Sequence, residues 1–253
     1  MTLIYSYSKH IGDYTDTEHI LKIYKVSMLR AKKLGHSIKL YGCNFTIDFL
    51  KGYYDTFVNV DNIEFLITDD LKMYIHSIEP AGSITFDGDI ILDSKLHLDM
   101  QSDIIFERIE KISLSEFQNT TKILNALKKY KNKFKIKHFN FDTRYFYNVG
   151  ILRFKSEEIK NTFVSLYFKF RDYYISSIEP KENLIKNNYI VSVVISQYYF
   201  TCICNALNLN INFTINNKDN DYRHLFGTKK YVKANYSPLF DELNIENKQK
   251  TIL

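Results

Sequence analysis

At 253 residues and 30.0 kDa the chain has room for one large domain or two small ones, and its 45% hydrophobic and 25% charged residues exclude general disorder. Eight glycines and three prolines exclude collagen-like and linker-rich folds, and no glycine falls in a G-x-G-x-x-G or G-x-x-x-x-G-K-[ST] spacing, which excludes a glycine-rich dinucleotide loop and a P-loop. The 34 basic and 29 acidic residues leave a net charge of +5, which tolerates anionic ligands but falls short of the footprint of a dedicated nucleic-acid binder.

Leu3–Tyr7 reads as an opening strand. A helix follows, capped by Asp16 or Thr17, with Ile20, Tyr24, Met28 and Ala31 on one face, Lys32 and Lys33 in the last turn and Gly35 as its stop. Next come a strand at Ser37–Cys43, a short helix around Ile47–Gly52, a strand at Ile63–Thr68, a helix at Leu71–Ile78 and a strand at Ser83–Leu92. Strand and helix in alternation predict a three-layer α/β fold on a mainly parallel sheet, with the ligand crevice at the carboxyl ends of the strands. The second half is less regular: strands at Ile104–Ile109 and Tyr147–Phe154, helices from about Ser115 to Lys128 and from Glu157 to Tyr173, and a run, Leu184–Leu207, apolar almost all round, whose length favours a buried helix over a strand. The polar, asparagine-rich tail after Leu207 is expected to run over the surface.

Cys43, Cys202 and Cys204 are an odd number in a chain too large to need disulfide staples, and so are expected as reduced thiols. The start, MTLIYSYSKH, lacks the basic and apolar regions of a signal peptide. The longest nearly apolar run, Tyr189–Cys204, is shorter than the roughly 20 residues that span a bilayer. These features predict a soluble, cytoplasmic protein without a transmembrane segment.

The most informative segment is Ser83–Leu92, in which Asp87 and Asp89 are separated by a glycine at the end of an apolar strand. Side chains two apart in a strand share a face, so both carboxylates reach one site, and Gly88 leaves room for a bulky ligand against the backbone. Two carboxylates held together repel each other, a cost that a divalent cation removes. The competing reading is an Asp-Gly turn; the apolar flanks favour the metal.

With this Asp-Gly-Asp the sequence resembles the metal-dependent nucleotide-sugar glycosyltransferases of GT-A fold, whose D-x-D motif ends a strand after a nucleotide-binding α/β half. Two further segments carry the resemblance. Tyr147–Phe154 (YNVGILRF) is similar to the F-N-x-G-hydrophobic strand, and His224–Lys230 (HLFGTKK) fits the H-x-x-G-x-x-K signature of the retaining family that contains glycogenin and the lipopolysaccharide galactosyltransferases. The resemblance runs from about residue 1 to 232. It implies a Rossmann-like GT-A fold in a single catalytic domain, with residues 1–112 binding the nucleotide sugar, 113–232 the acceptor, and 233–253 as a tail.

The same resemblance implies Asp87, Asp89 and His224 as ligands of Mn²⁺ or Mg²⁺, with Gly227 and Lys230 on the diphosphate. A departing nucleoside diphosphate develops negative charge that a cation and an ammonium neutralise in place, and an imidazole beside two carboxylates tilts the choice toward Mn²⁺. Without the glycine and lysine at their offsets, His224 would read as an ordinary loop histidine, and Lys229 and Lys230 as a solvated pair.

Gln197 is a polar amide inside an apolar run and needs hydrogen-bond partners, whether structural or from a ligand. In the resembling family an acidic residue followed by Gln faces the donor sugar. Here Ser196 precedes Gln197, the acidic member is missing, and Asp142 is a candidate for acceptor activation. Asn148 and Gly150 offer an amide and bare backbone to sugar hydroxyls, or form an ordinary turn. Lys72 stands where related enzymes carry a basic residue toward the donor, against a plain helix charge. By analogy with such folds, Tyr5 and Ser6 end the strand that seats the nucleotide base.

The run Lys128–His138 alternates lysines with Asn132, Phe134, Ile136 and His138 from Lys131 onward. A charged edge strand explains it best, with an anionic acceptor, a peripheral membrane surface or single-stranded nucleic acid as alternatives. The resemblance implies a retaining transferase that moves a sugar from a UDP donor to a saccharide or glycoconjugate hydroxyl. The alternatives are a non-catalytic GT-A module that binds nucleotide sugar or glycan, and a basic nucleic-acid-binding domain.

Overall fold

The computed structural model describes residues 1–7, 17–67, 69–111, 125, 128–129, 145–177, 193–216 and 220–225. The fold is mixed α/β, as expected, with seven strands in a mostly parallel sheet and two short strands in a separate ribbon. The chain divides into two compact units, each assembled from separate stretches. The first comprises Met1–Ile63, Phe86–His97 and Lys218–Leu253, and the second Glu64–Thr85 and Leu98–Asn217.

In the first unit, β1 (Thr2–Tyr7) pairs in parallel with β2 (Ser37–Gly42), and β2 with β3 (Thr56–Asn59). Leu3, Ile4, Tyr5 and Tyr7 of β1 are all buried, the near-continuous apolar burial of a parallel strand. Helix α1 (Thr17–Lys33) buries Ile20, Leu21, Ile23, Met28 and Ala31, and carries Glu18 in its first turn and Arg30, Lys32 and Lys33 in its last, signs that suit the helix dipole. It stops at Gly35, whose φ of 81° is open to glycine at no steric cost. Helix α2 (Asn44–Phe49) starts three residues before the expected position, immediately after Cys43.

The strand expected at Ile63–Thr68 is displaced to β3, and the described residues 60–67 are turns and coil. The apolar residues of 63–67 had suggested a strand, but Asp70 Oδ2 accepts the backbone N–H groups of Leu66 and Ile67 and folds this stretch onto the start of the next helix. The expected single strand Ser83–Leu92 is two, β4 (Ile84–Phe86) and β5 (Ile90–Leu92), interrupted by Asp87-Gly88-Asp89.

The second unit holds α3 (Asp70–Ile78), β4 up to Thr85, β6 (Ile104–Lys111), β7 (Tyr145–Phe154), α4 (Glu157–Ser177), a π-helical turn at Val193–Tyr198, α5 (Tyr199–Leu207) and β8 (Ile211–Phe213). Strands β6 and β7 run antiparallel with a bulge between Phe106 and Arg108, and β6 pairs in parallel with β8. Its core is aromatic: Phe106, Phe154, Phe163, Tyr167, Phe170, Tyr174, Tyr199 and Phe200 are buried in one cluster. Within the apolar run the described part, residues 193–207, is helical, as its length had suggested. Within the described part of the polar tail, β8 and β9 (Tyr222–His224) form strands. Cys43, Cys202 and Cys204 are buried thiols outside any disulfide. The expected helix over 115–128 and the lysine-rich strand lie, apart from three helical residues at 125, 128 and 129, outside the described residues. No helix among the described residues is long and apolar enough to cross a membrane.

Candidate metal centre

Asp87, Gly88 and Asp89 form a turn, closed by the N–H of Ile90 donating to the carbonyl of Asp87 at 3.1 Å. The two carboxylates thus converge through a turn, as the competing reading expected, and not through the pleat of a continuous strand. What lies against Gly88 is a protein ring. A Cβ built there would come within 2.2 Å of Tyr24 Cε1 and Cζ. The Tyr24 hydroxyl donates to the Ser6 carbonyl at 3.1 Å, and its ring meets those of Tyr5 and Tyr7 edge-on. The start of β5 is held by Ser27, whose hydroxyl donates to the Ile90 carbonyl at 2.5 Å and bonds Tyr5 Oη at 3.0 Å.

His224 reaches this turn along the ribbon of β5 and β9, an antiparallel pair in which Ile90 faces His224, Ile91 faces Arg223 and Leu92 faces Tyr222. The N–H of Leu225 donates to the Asp89 carbonyl at 2.8 Å. His224 Nε2 stands 3.3 Å from Asp89 Oδ1, and one ligand atom from each of Asp87, Asp89 and His224 lies within 4.8 Å of the other two. Two carboxylate oxygens and an imidazole nitrogen, brought together from positions 135 or more residues apart in sequence, form a donor set that could hold a divalent cation.

The remaining residues singled out in the sequence have varied surroundings. Tyr5 is wholly buried, and burial raises its phenol well above the usual tyrosine range; its hydroxyl is engaged by Ser27. Ser6 is half-buried and offers its carbonyl to Tyr24. In the second unit the Lys72 ammonium is buried and donates to the Val149 carbonyl at 2.7 Å. It is therefore bonded to the backbone between Asn148 and Gly150. Asn148 Nδ2 donates to Glu110 Oε1 at 2.8 Å, and its Oδ1 accepts the Gly150 N–H at 2.7 Å. Gln197 sits in the π-helical turn, with its side-chain oxygen buried and without a hydrogen-bond partner among the described residues, which costs roughly 1–3 kcal/mol unless a ligand or water satisfies it. Asp142, Gly227 and Lys230 lie outside the described residues.

Sequence reading missed Asp69. Its carboxylate accepts a short hydrogen bond from the Ser196 hydroxyl, so an acidic group does stand beside Ser196-Gln197, supplied from the start of α3. The adjacent acids Asp69-Asp70 ahead of a helix were the available signal. Nothing in sequence links them to Ser196.

No family model and no curated protein matches the chain. Among solved structures, the chain is similar to the galactosyltransferase LgtC in complex with donor and acceptor sugar analogues, at 12% identity and a TM-score of 0.40 over 75% of this chain and 70% of that one. An active-site mutant of LgtC gives 11% identity and a TM-score of 0.41 over the same shares. The CTP:phosphocholine cytidylyltransferase LicC from Streptococcus pneumoniae gives 13% identity and a TM-score of 0.40 over 74% and 84%.

Proposed function

We propose that this chain is a metal-dependent glycosyltransferase that moves a sugar from a UDP-linked donor to a saccharide or glycoconjugate hydroxyl, with retention, in the cytoplasm and as a single catalytic domain. The observation that carries this reading is the convergence of Asp87, Asp89 and His224 at the turn between β4 and β5. These three residues would hold Mn²⁺ or Mg²⁺, and a bound cation supplies neutralisation of the diphosphate oxygens. Gly227 and Lys230, three and six residues beyond His224, are assigned to the diphosphate, the lysine as a fixed positive charge where negative charge develops.

Other assigned residues act through the backbone they hold. Lys72 and the Asn148 amide brace the Asn148–Gly150 segment by taking the Val149 carbonyl and the Gly150 N–H, and this fixed segment is assigned to the donor sugar. Tyr5 and Ser6 brace Tyr24, which underlies the Asp87–Asp89 turn and leaves the base of the nucleotide to the end of β1. Gln197 Oε1 accepts from a sugar hydroxyl, which would satisfy a buried acceptor. Asp142 remains the assigned acceptor-activating group. A second reading, a nucleotide-sugar-binding module without efficient turnover, is favoured by Ser196 occupying the place of an acidic residue before Gln197.

The test is Mn²⁺-dependent turnover of a panel of UDP-sugars. Asp87→Ala and Asp89→Ala each abolish it while the melting temperature stays within a few degrees. Unchanged turnover in either variant overturns the assigned site, and donor binding by the wild-type chain without turnover selects the binding module.

A further inference from the structure

The ribbon that delivers His224 is short. It has three residues on each strand and stands apart from the seven-stranded sheet, and a two-stranded pair of that size is marginal on its own. Other contacts therefore have to hold it. Arg223, one residue before His224, forms a forked pair with Asp93, Nε to Oδ2 at 2.7 Å and Nη2 to Oδ1 at 2.8 Å. Asp93 is also approached by Arg30 of α1 at 3.9 Å, so the carboxylate that receives Arg223 is itself tethered to that helix. Beside it the N–H groups of Asp93 and Ser94 both donate to the Asp221 carbonyl, at 2.8 and 3.0 Å.

We infer that Asp93 and Arg223 are positioning residues for the cation site: their ion pair fastens β9 and thereby presents His224 to Asp87 and Asp89. The inference rests on the metal reading above. Arg223 and His224 are neighbours on a strand, so their side chains leave opposite faces. A pull on Arg223 therefore sets the register and tilt of β9 without competing for the cation. The fork matters, since two parallel N–H···O bonds fix an orientation that a point charge does not.

Simple electrostatics and positioning predict different signs. Removing Asp93 deletes a negative charge and would weaken cation binding through space, whereas removing Arg223 deletes a positive charge and would strengthen it. Positioning predicts that both weaken it. The experiment is Mn²⁺ titration of the full chain followed by electron paramagnetic resonance, with pulsed detection of the ¹⁴N coupling that an imidazole ligand imposes on bound Mn²⁺.

The wild-type chain should bind Mn²⁺ with ¹⁴N coupling. Asp93→Ala and Arg223→Ala should each bind several-fold more weakly and lose most of that coupling, in keeping with a partly exposed pair worth up to about 1 kcal/mol. Arg223→Lys should recover part of both readouts and guards against a variant that simply misfolds. Opposite shifts in the two alanine variants, or ¹⁴N coupling unchanged in both, overturn the inference and leave the metal reading standing. Wild-type binding without ¹⁴N coupling removes His224 as a ligand and the inference with it, and no wild-type binding overturns the metal reading as well.

Discussion

Asp70 in the second unit and the Asp87–Asp89 turn in the first are acidic centres of opposite character. Asp70 is almost fully buried, and its oxygens are occupied from within the protein: two backbone N–H groups from Leu66 and Ile67, the Tyr167 hydroxyl at 2.8 Å and the Arg171 guanidinium at 3.1 Å. Burial pushes its carboxyl up, and Arg171 with these hydrogen bonds draws it back. Asp87 and Asp89 are instead drawn toward each other and toward His224 by a turn and a ribbon. The difference teaches what separates a carboxylate enclosed by hydrogen-bond donors from one grouped with other side chains that could hold a cation. The first has its oxygens engaged by backbone, hydroxyl and guanidinium donors, while the second is grouped with another carboxylate and an imidazole, a set that could hold a cation.

The comparison breaks most easily at Asp70. Asp70→Ala leaves two backbone N–H groups and the Tyr167 hydroxyl without their acceptor and Arg171 with Asp172 as its ion-pair partner, and loss of one partner from a buried pair costs up to about 3–5 kcal/mol. Asp70→Asn keeps one acceptor oxygen for the Leu66 and Ile67 N–H groups, turns the other position into an NH2 donor toward Tyr167, and should lose less. Urea denaturation of both variants measures this. A cost for Asp70→Ala no larger than that for Asp87→Ala would erase the proposed distinction between the two centres.

Two histidines sharpen the contrast. His76 is buried beside Thr85, with its Nε2 3.0 Å from Oγ1, and packs edge-on to Phe154. Burial, helped by the Lys72 and Lys160 ammonium groups, pushes its pKa down to about 3. The folded protein therefore keeps His76 neutral while the unfolded chain protonates near 6.5. Stability is fully present above that value and falls as pH drops from 6.5 toward 3, at about 1.4 kcal/mol per pH unit. Between pH 6.5 and 5 carboxylates contribute little, and His76→Gln should flatten the slope there by about 2 kcal/mol in total. His36, also buried with a lowered pKa, adds a slope of the same sign in both proteins and cancels from the difference. Equal slopes for wild type and variant would show that His76 is protonated in the fold.

How much was legible beforehand follows the same physics. The carboxylates and His224 were readable because their chemistry sits in short motifs, and α1, α3 and α4 because their apolar spacing repeats over at least two turns. β3 was missed because an exposed edge strand shows little apolar alternation: Thr56, Phe57 and Asn59 face solvent. The break between β4 and β5 was missed because mainly apolar residues flank Asp87-Gly88-Asp89 on both sides, so one interrupted strand and two short strands read alike. Asp69 beside Ser196, and Arg223 on Asp93, join residues 127 and 130 positions apart, and no local pattern carries such pairings. Tyr24 beneath Gly88 is of the same kind.

That last contact gives the finest test of how the acidic turn is held. Gly88→Ala places a methyl within 2.3 Å of three atoms of the Tyr24 ring, and the ring has little freedom to retreat, being bonded to the Ser6 carbonyl and wedged against Tyr5 and Tyr7. Overpacking of this kind costs about 1–3 kcal/mol. If the turn moves in place of the ring, Asp87 and Asp89 move with it, and Mn²⁺ affinity falls together with stability. A double-mutant cycle with Tyr24→Ala separates the two. With the ring gone, Gly88→Ala should recover most of its stability cost and most of its Mn²⁺ affinity. If the cost persists, the turn itself demands glycine, and the geometry that brings the carboxylates together is intrinsic to Asp87-Gly88-Asp89 and owes nothing to the helix packed beneath it.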